Sequence, residues 1–133
     1  MRFSRKTDYG IILLQSLRET FSSGEYISLS RVAKEQEISL AFLEKLGERL
    51  RREGYLESHR GTRGGYRMLK DPKSVTLKEL IRVFEESEMM RCMKSHRPDK
   101  ACPLVAVCPT RRSWLEIEKR VNSIFESVTL DAI

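Results

Sequence analysis

The chain has 133 residues, with 25 Lys and Arg against 19 Asp and Glu, for a formal net charge of +6. That length suits one compact domain with a short extension, and 40% apolar with 33% charged residues is a globular balance that excludes disorder and collagen-like fibres. Apolar runs such as Ile11 to Leu14 are far short of the ~20 residues of a membrane span. Asp8 closely follows Arg2, Arg5 and Lys6, and no cleavage site appears, so the expected location is cytoplasmic.

Thr7 or Asp8 can cap a first helix running to about Phe21, because Tyr9, Ile12, Leu13, Leu17 and Phe21 recur at helical spacing; Ser22, Ser23 and Gly24 end it. Ser28 caps a short second helix with Leu29, Val32 and Ala33 inward. Gln36-Glu37-Ile38 reads as a turn, and Ser39 caps a third helix whose Leu43, Leu46 and Leu50 face the core, with Gly54 as its stop. Two helices joined by so short a turn form a helix-turn-helix, in which the second presents its outer face to the DNA major groove.

Two short strands follow, Tyr55 to His59 and Tyr66 to Leu69, joined by Arg60-Gly61-Thr62-Arg63-Gly64-Gly65. Glycines at the tip permit a close backbone approach and the arginines supply charge, so the hairpin is a wing suited to a narrow minor groove. It is not a phosphate-cradling loop, since the glycines join two strands and do not open onto a helix. The charge agrees with a nucleic-acid surface. Residues 1–70 hold 14 Lys and Arg against 9 Asp and Glu, a net of +5, whereas residues 71–133 hold 11 against 10, a net of +1. Between Lys45 and Arg67 seven bases (Lys45, Arg49, Arg51, Arg52, Arg60, Arg63, Arg67) face only Glu48, Glu53 and Glu57.

After the break at Asp71-Pro72, Thr76-Leu77-Lys78-Glu79 is a capping box opening a fourth helix with Leu77, Leu80, Ile81 and Phe84 on one stripe. Residues 88–108 lack helical period and read as a loop. A last helix after Pro109 carries Trp114, Ile117, Val121, Ile124 and Val128, spaced three, four, three and four, which is the seam of helices packing along their length. A second copy of the chain is the expected partner, placing two recognition helices on two half-sites about one DNA turn apart. The expected fold is mainly α with a small β wing: a winged helix-turn-helix over residues 1–72, then dimerisation helices with the cysteine loop over residues 73–133.

The three cysteines, Cys92, Cys102 and Cys108, all lie in that loop with spacing C-x9-C-x5-C. An odd, clustered set is poorly explained by disulfides and better by a metal or redox role. Zinc sites usually use closer knuckles, while wide spacings suit an iron–sulfur cluster, whose fourth ligand would come from His96, from Asp8, or from outside the chain. No nucleophile arrangement for catalysis is evident, so an enzyme is not expected. Two rivals stay open: a zinc-bound or metal-free repressor controlled by a protein partner, and a small iron–sulfur electron carrier, which would have no use for a basic wing.

Met1-Arg2-Phe3-Ser4, Asp8-Tyr9-Gly10, Ile38 to Leu46, Arg60 to Tyr66 and Val75-Thr76-Leu77 together resemble the winged-helix bacterial regulators that include IscR, NsrR, RirA and CymR, over nearly the whole chain. The resemblance implies a homodimer controlling transcription from pseudo-palindromic double-stranded operators. It implies that Ser39, Ala41, Phe42, Glu44 and Lys45 face the major groove, that Arg49 and Arg51 contact phosphates, and that Arg60 enters the minor groove, with Gly61, Arg63 and Gly64 beside it in the wing. It also implies that Cys92, Cys102 and Cys108 hold the cluster. Cluster-bearing relatives space their first two cysteines more closely, and Arg111 stands where IscR-like members place a ligating histidine. Asp8 stands where NsrR-like members can place a ligating carboxylate, which favours 4Fe-4S over 2Fe-2S, with His96 the weaker alternative.

Overall fold

The computed structural model describes residues 2–85, 89–90 and 102–133. Helix α1 (Arg5–Ser16) has Ser4 as its extended N-cap and buries Thr7, Gly10, Leu13 and Leu14. It starts earlier and ends sooner than the sequence periodicity predicts, because the chain turns at Leu17 and resumes as α2 (Thr20–Ser23). The backbone tightens to i→i+3 bonds there, with the Thr20 N–H on the Leu17 carbonyl at 3.0 Å, and the Thr20 hydroxyl also donates to that carbonyl and accepts the Met68 N–H at 2.9 Å. Thr20 is therefore buried, while Phe21, expected inside, is 42% exposed.

Helix α3 (Leu29–Gln36) is capped by the Ser28 hydroxyl, which accepts the Arg31 N–H at 3.3 Å. The turn to α4 (Leu40–Arg52) is made by Glu37 at φ 54°, the one non-glycine residue with positive φ among the described residues. Leu43, Leu46 and Leu50 of α4 face the core as predicted. Ser39 occupies its N-cap position but makes no capping bond through its side chain. Gly54 ends the helix at φ 76°, and the Tyr55 N–H returns to the Leu50 carbonyl at 2.9 Å.

Strands β1 (Leu56–His59) and β2 (Gly65–Met68) pair antiparallel, with Leu56 opposite Met68 and His59 opposite Gly65. On the far edge of β2 the Ile27 and Tyr66 backbones exchange two bonds, at 3.0 and 2.8 Å. Gly65 must be glycine here, since a Cβ would lie 2.3 Å from the Ile27 carbonyl oxygen.

Helix α5 (Leu77–Phe84) opens with the predicted capping box: the Thr76 hydroxyl accepts from Glu79 N–H, and the Glu79 carboxylate accepts from Thr76 N–H at 2.8 Å. Helix α6 (Arg111–Ser127) leads to a closing 3-10 turn, Leu130–Ala132, that returns to the body. There the Leu130 N–H reaches the Val75 carbonyl at 2.8 Å, and Gln15 of α1 donates to the Leu130 carbonyl at 2.6 Å. Leu13, Leu17, Val32, Leu43, Leu50, Leu56, Val75, Leu80, Phe84 and Leu130 form a single core. No residue of α6 is buried. Among the described residues no helix is long and apolar enough to cross a membrane.

Candidate functional site

Buried leucines on one side of α4 turn its other side outward, where Ser39, Ala41, Glu44, Lys45 and Arg49 are exposed. Phe42 is half-buried, its ring meeting that of Tyr9 edge-on at 5.6 Å, so it packs α4 on α1 as well as bordering the outer face. The arginines of α4 are held in two different ways. Arg51 and Arg52 both pair with Glu48 at 2.9 Å, and chiefly the Arg51 bond holds the Glu48 carboxyl down at about 2. Arg49 instead lies over the ring of Phe84, 5.8 Å from its centroid.

Arg60, Gly61 and Arg63 are exposed at the tip of the hairpin, closed by the Gly64 N–H to the Gly61 carbonyl at 2.9 Å. Among the described residues no carboxylate lies within ion-pair distance of Lys45, Arg60 or Arg63. The base of the wing holds a cluster that the sequence reading missed. Glu57 and Arg67 sit opposite each other in the strand register and form an ion pair, and Glu57 also accepts the Tyr26 hydroxyl at 2.9 Å. The Arg67 guanidinium lies 5.1 Å from the centroid of the Tyr26 ring, whose other neighbour is the His59 ring. The Tyr26 and Arg67 bonds hold the Glu57 carboxyl below the ordinary carboxylate value. Opposite charges at matching positions of a predicted hairpin were the signal available.

At the other end of the body, Glu85 follows α5 and accepts the Ser4 N–H at 2.6 Å together with the Thr7 hydroxyl, so it caps α1 from outside. Asp8, one residue on, is exposed and lines an open apolar groove of about 730 Å³ with Phe3, Ile11, Leu77, Ile81 and Ile133. Cys102 and Cys108 are half-buried free thiols. Cys108 lies 3.5 Å from the Thr110 hydroxyl, and that bond, with backbone groups and Arg111 at the start of α6, pulls its thiol below the ordinary value. Cys92 and His96 lie outside the described residues. Among the described residues no three His, Cys, Asp or Glu side chains converge as a metal site.

A helix-turn-helix whose second helix and arginine-tipped hairpin carry free basic side chains defines a winged-helix DNA-binding protein. The profile of the Rrf2 family, described as iron-dependent transcriptional regulators, matches residues 3–133. The chain belongs to the Rrf2 family, and is a transcriptional regulator, not an enzyme. Protein Rrf2 of Nitratidesulfovibrio vulgaris is 29% identical over 130 residues, covering 98% of this chain and 85% of that protein. IscR of Klebsiella pneumoniae is 30% identical over 131 residues, covering 98% and 77%. The structure of CymR, the global cysteine regulator of B. subtilis, matches with a TM-score of 0.76 at 27% identity, covering 99% of this chain and 95% of CymR.

Proposed function

We propose that the protein is a cytoplasmic, homodimeric regulator that reads a pseudo-palindromic operator and responds to iron–sulfur status, nitric oxide or redox state through its three cysteines. The observation that carries the reading is α6: 17 residues without one buried side chain, with Ile117 42% and Ile124 62% exposed along a continuous apolar seam. One side of α6 meets α5, where Lys78 pairs with Glu126, but the seam stays open to water, and a second copy supplies the cover by two-fold symmetry. Residues 1–72 then read DNA and residues 73–133 pair and sense. This division is functional, since Val75, Leu80 and Leu130 share the core with α1 and α4.

Ser39, Ala41, Phe42, Glu44 and Lys45 would face base edges, Arg49 and Arg51 the phosphates, and Arg60 the minor groove, with Gly61, Arg63 and Gly64 shaping the wing tip. Cys92, Cys102, Cys108 and Asp8 would hold the cluster, 4Fe-4S in preference to 2Fe-2S, and His96 is the alternative fourth ligand. The donor chemistry fits: among the described residues Cys102 and Cys108 have no disulfide partner, the Cys108 thiol is pulled below its ordinary value, and the Asp8 side chain is exposed in its groove. When bound, such a cluster supplies a group that iron loss, oxygen or nitric oxide degrades. Anaerobic purification with iron and sulfide counting, followed by DNA binding before and after nitric oxide, tests the reading. Iron and sulfide should copurify and binding should change. Protein that holds neither and cannot be reconstituted would point to the zinc-bound or metal-free regulator.

A further inference from the structure

Gly10 in α1 carries no side chain because the ring of Phe84 stands where one would be: a Cβ there would lie 2.3 Å from Cε2 and 2.5 Å from Cζ. Phe84 is the last residue of α5, and it is buried on that seat. Its ring also lies against the Arg49 guanidinium, on the exposed side of α4. The next residue, Glu85, fastens the same end of α5 to the first turn of α1 through Ser4 and Thr7, so two adjacent residues tie this end of α5 to α1.

We infer that Phe84 is a positioning residue for DNA binding: its ring, seated on Gly10 and locked by Glu85, holds the Arg49 guanidinium ready for a phosphate. The argument lies in what each arginine of α4 must give up on reaching DNA. Arg51 spends its Nε and Nη2 donors on Glu48 and Arg52 its Nε donor, so each offers a phosphate an incomplete fork while the Glu48 carboxylate stands beside it. A cation–π contact with a ring uses none of the guanidinium's N–H donors, so Arg49 can take a phosphate bidentately without leaving Phe84. The contact also narrows the side chain's freedom in advance, which lowers the ordering cost of binding. The hold on this arginine therefore sits one residue before the segment that leads to the cysteines.

The test is a double-mutant cycle on the full chain, using a duplex that the wild-type chain selects from a randomised library, with binding read by fluorescence anisotropy. Phe84→Leu should weaken binding about two- to fivefold, the range of a partly exposed cation–π contact. In an Arg49→Ala background, which should itself lower the log-salt slope by about 1, Phe84→Leu should have no effect. Glu85→Gln should behave like Phe84→Leu in both backgrounds. Equal weakening by Phe84→Leu with and without Arg49 would reduce Phe84 to a core residue and overturn the inference. Arg49→Lys needs no change in the core: it keeps the charge but loses the planar fork, so it should weaken binding, and wild-type affinity in that variant would also overturn the inference.

Discussion

Replacing Ile124 by Glu is the sharpest test of dimerisation through α6. Ile124 is 62% exposed in the single chain and lies on the seam with Ile117, turned away from the α5-facing side where Glu126 pairs with Lys78 at 3.0 Å. Fully burying an isoleucine is worth about 1.5–3 kcal/mol, so covering the exposed part gains about 1–2 kcal/mol per copy. Two-fold symmetry counts every contact twice, and the loss per dimer is about 2–4 kcal/mol before the cost of burying two new carboxylates. The dimer dissociation constant should rise at least roughly 25- to 700-fold, since 1.4 kcal/mol is tenfold. Sedimentation equilibrium with wild type and Ile124→Glu reads this directly. The wild-type melting temperature should fall on dilution, because pairing stabilises the folded chain by mass action, whereas that of Ile124→Glu should not depend on concentration. A wild-type monomer at micromolar concentration, or an Ile124→Glu dimer of unchanged affinity, would refute the reasoning.

Three further predictions concern the DNA surface and the wing. Arg60→Ala should weaken binding and reduce discrimination at narrow-groove positions, whereas Arg51→Ala should weaken all sequences alike and lower the salt slope by about 1; competition binding at several salt concentrations separates the two. Glu48→Gln frees Arg51 and Arg52 from their shared partner and removes one negative charge from the surface, so duplex affinity should rise about two- to fivefold, and weaker binding would contradict the assignment. Glu57 has a lowered carboxyl value in the folded chain, so its bonds to Tyr26 and Arg67 stabilise the wing fully above the ordinary carboxylate range and lose effect as pH falls through the lowered value. The melting-temperature gap between wild type and Glu57→Gln should therefore be full at pH 7 and begin to narrow as pH falls past the ordinary Glu value of about 4.3; a constant gap would show that the charge is not what matters.

Much of the fold was legible from local signals. The Thr76–Glu79 capping box, Ser28 as cap and Gly54 as stop each mark a boundary through groups within a few residues of one another, and the structure keeps all three. The hairpin was legible for the same reason, with its strands shifted by about a residue from the expected ends. The break after α1 was misjudged because the segment that follows is tied to the hairpin by the Thr20 to Met68 bond, which joins residues 48 apart in sequence. In the Asp8-Tyr9-Gly10 motif, spacing alone gave no reason for the glycine, which exists to seat Phe84 from another helix.

By itself the sequence determined the helix-turn-helix, the wing and the capped start of α5, where the positive charge concentrates, and that three thiols share one segment, because all of these follow from near neighbours and composition. Only the tertiary structure decided how each charge is used. Lys45, Arg49, Arg51 and Arg60 look alike as letters, yet Arg51 is tied to Glu48, Arg49 lies over the Phe84 ring, and among the described residues Lys45 and Arg60 have no acidic partner. Such differences arise where separate elements meet, and packing alone sets which side chains meet there.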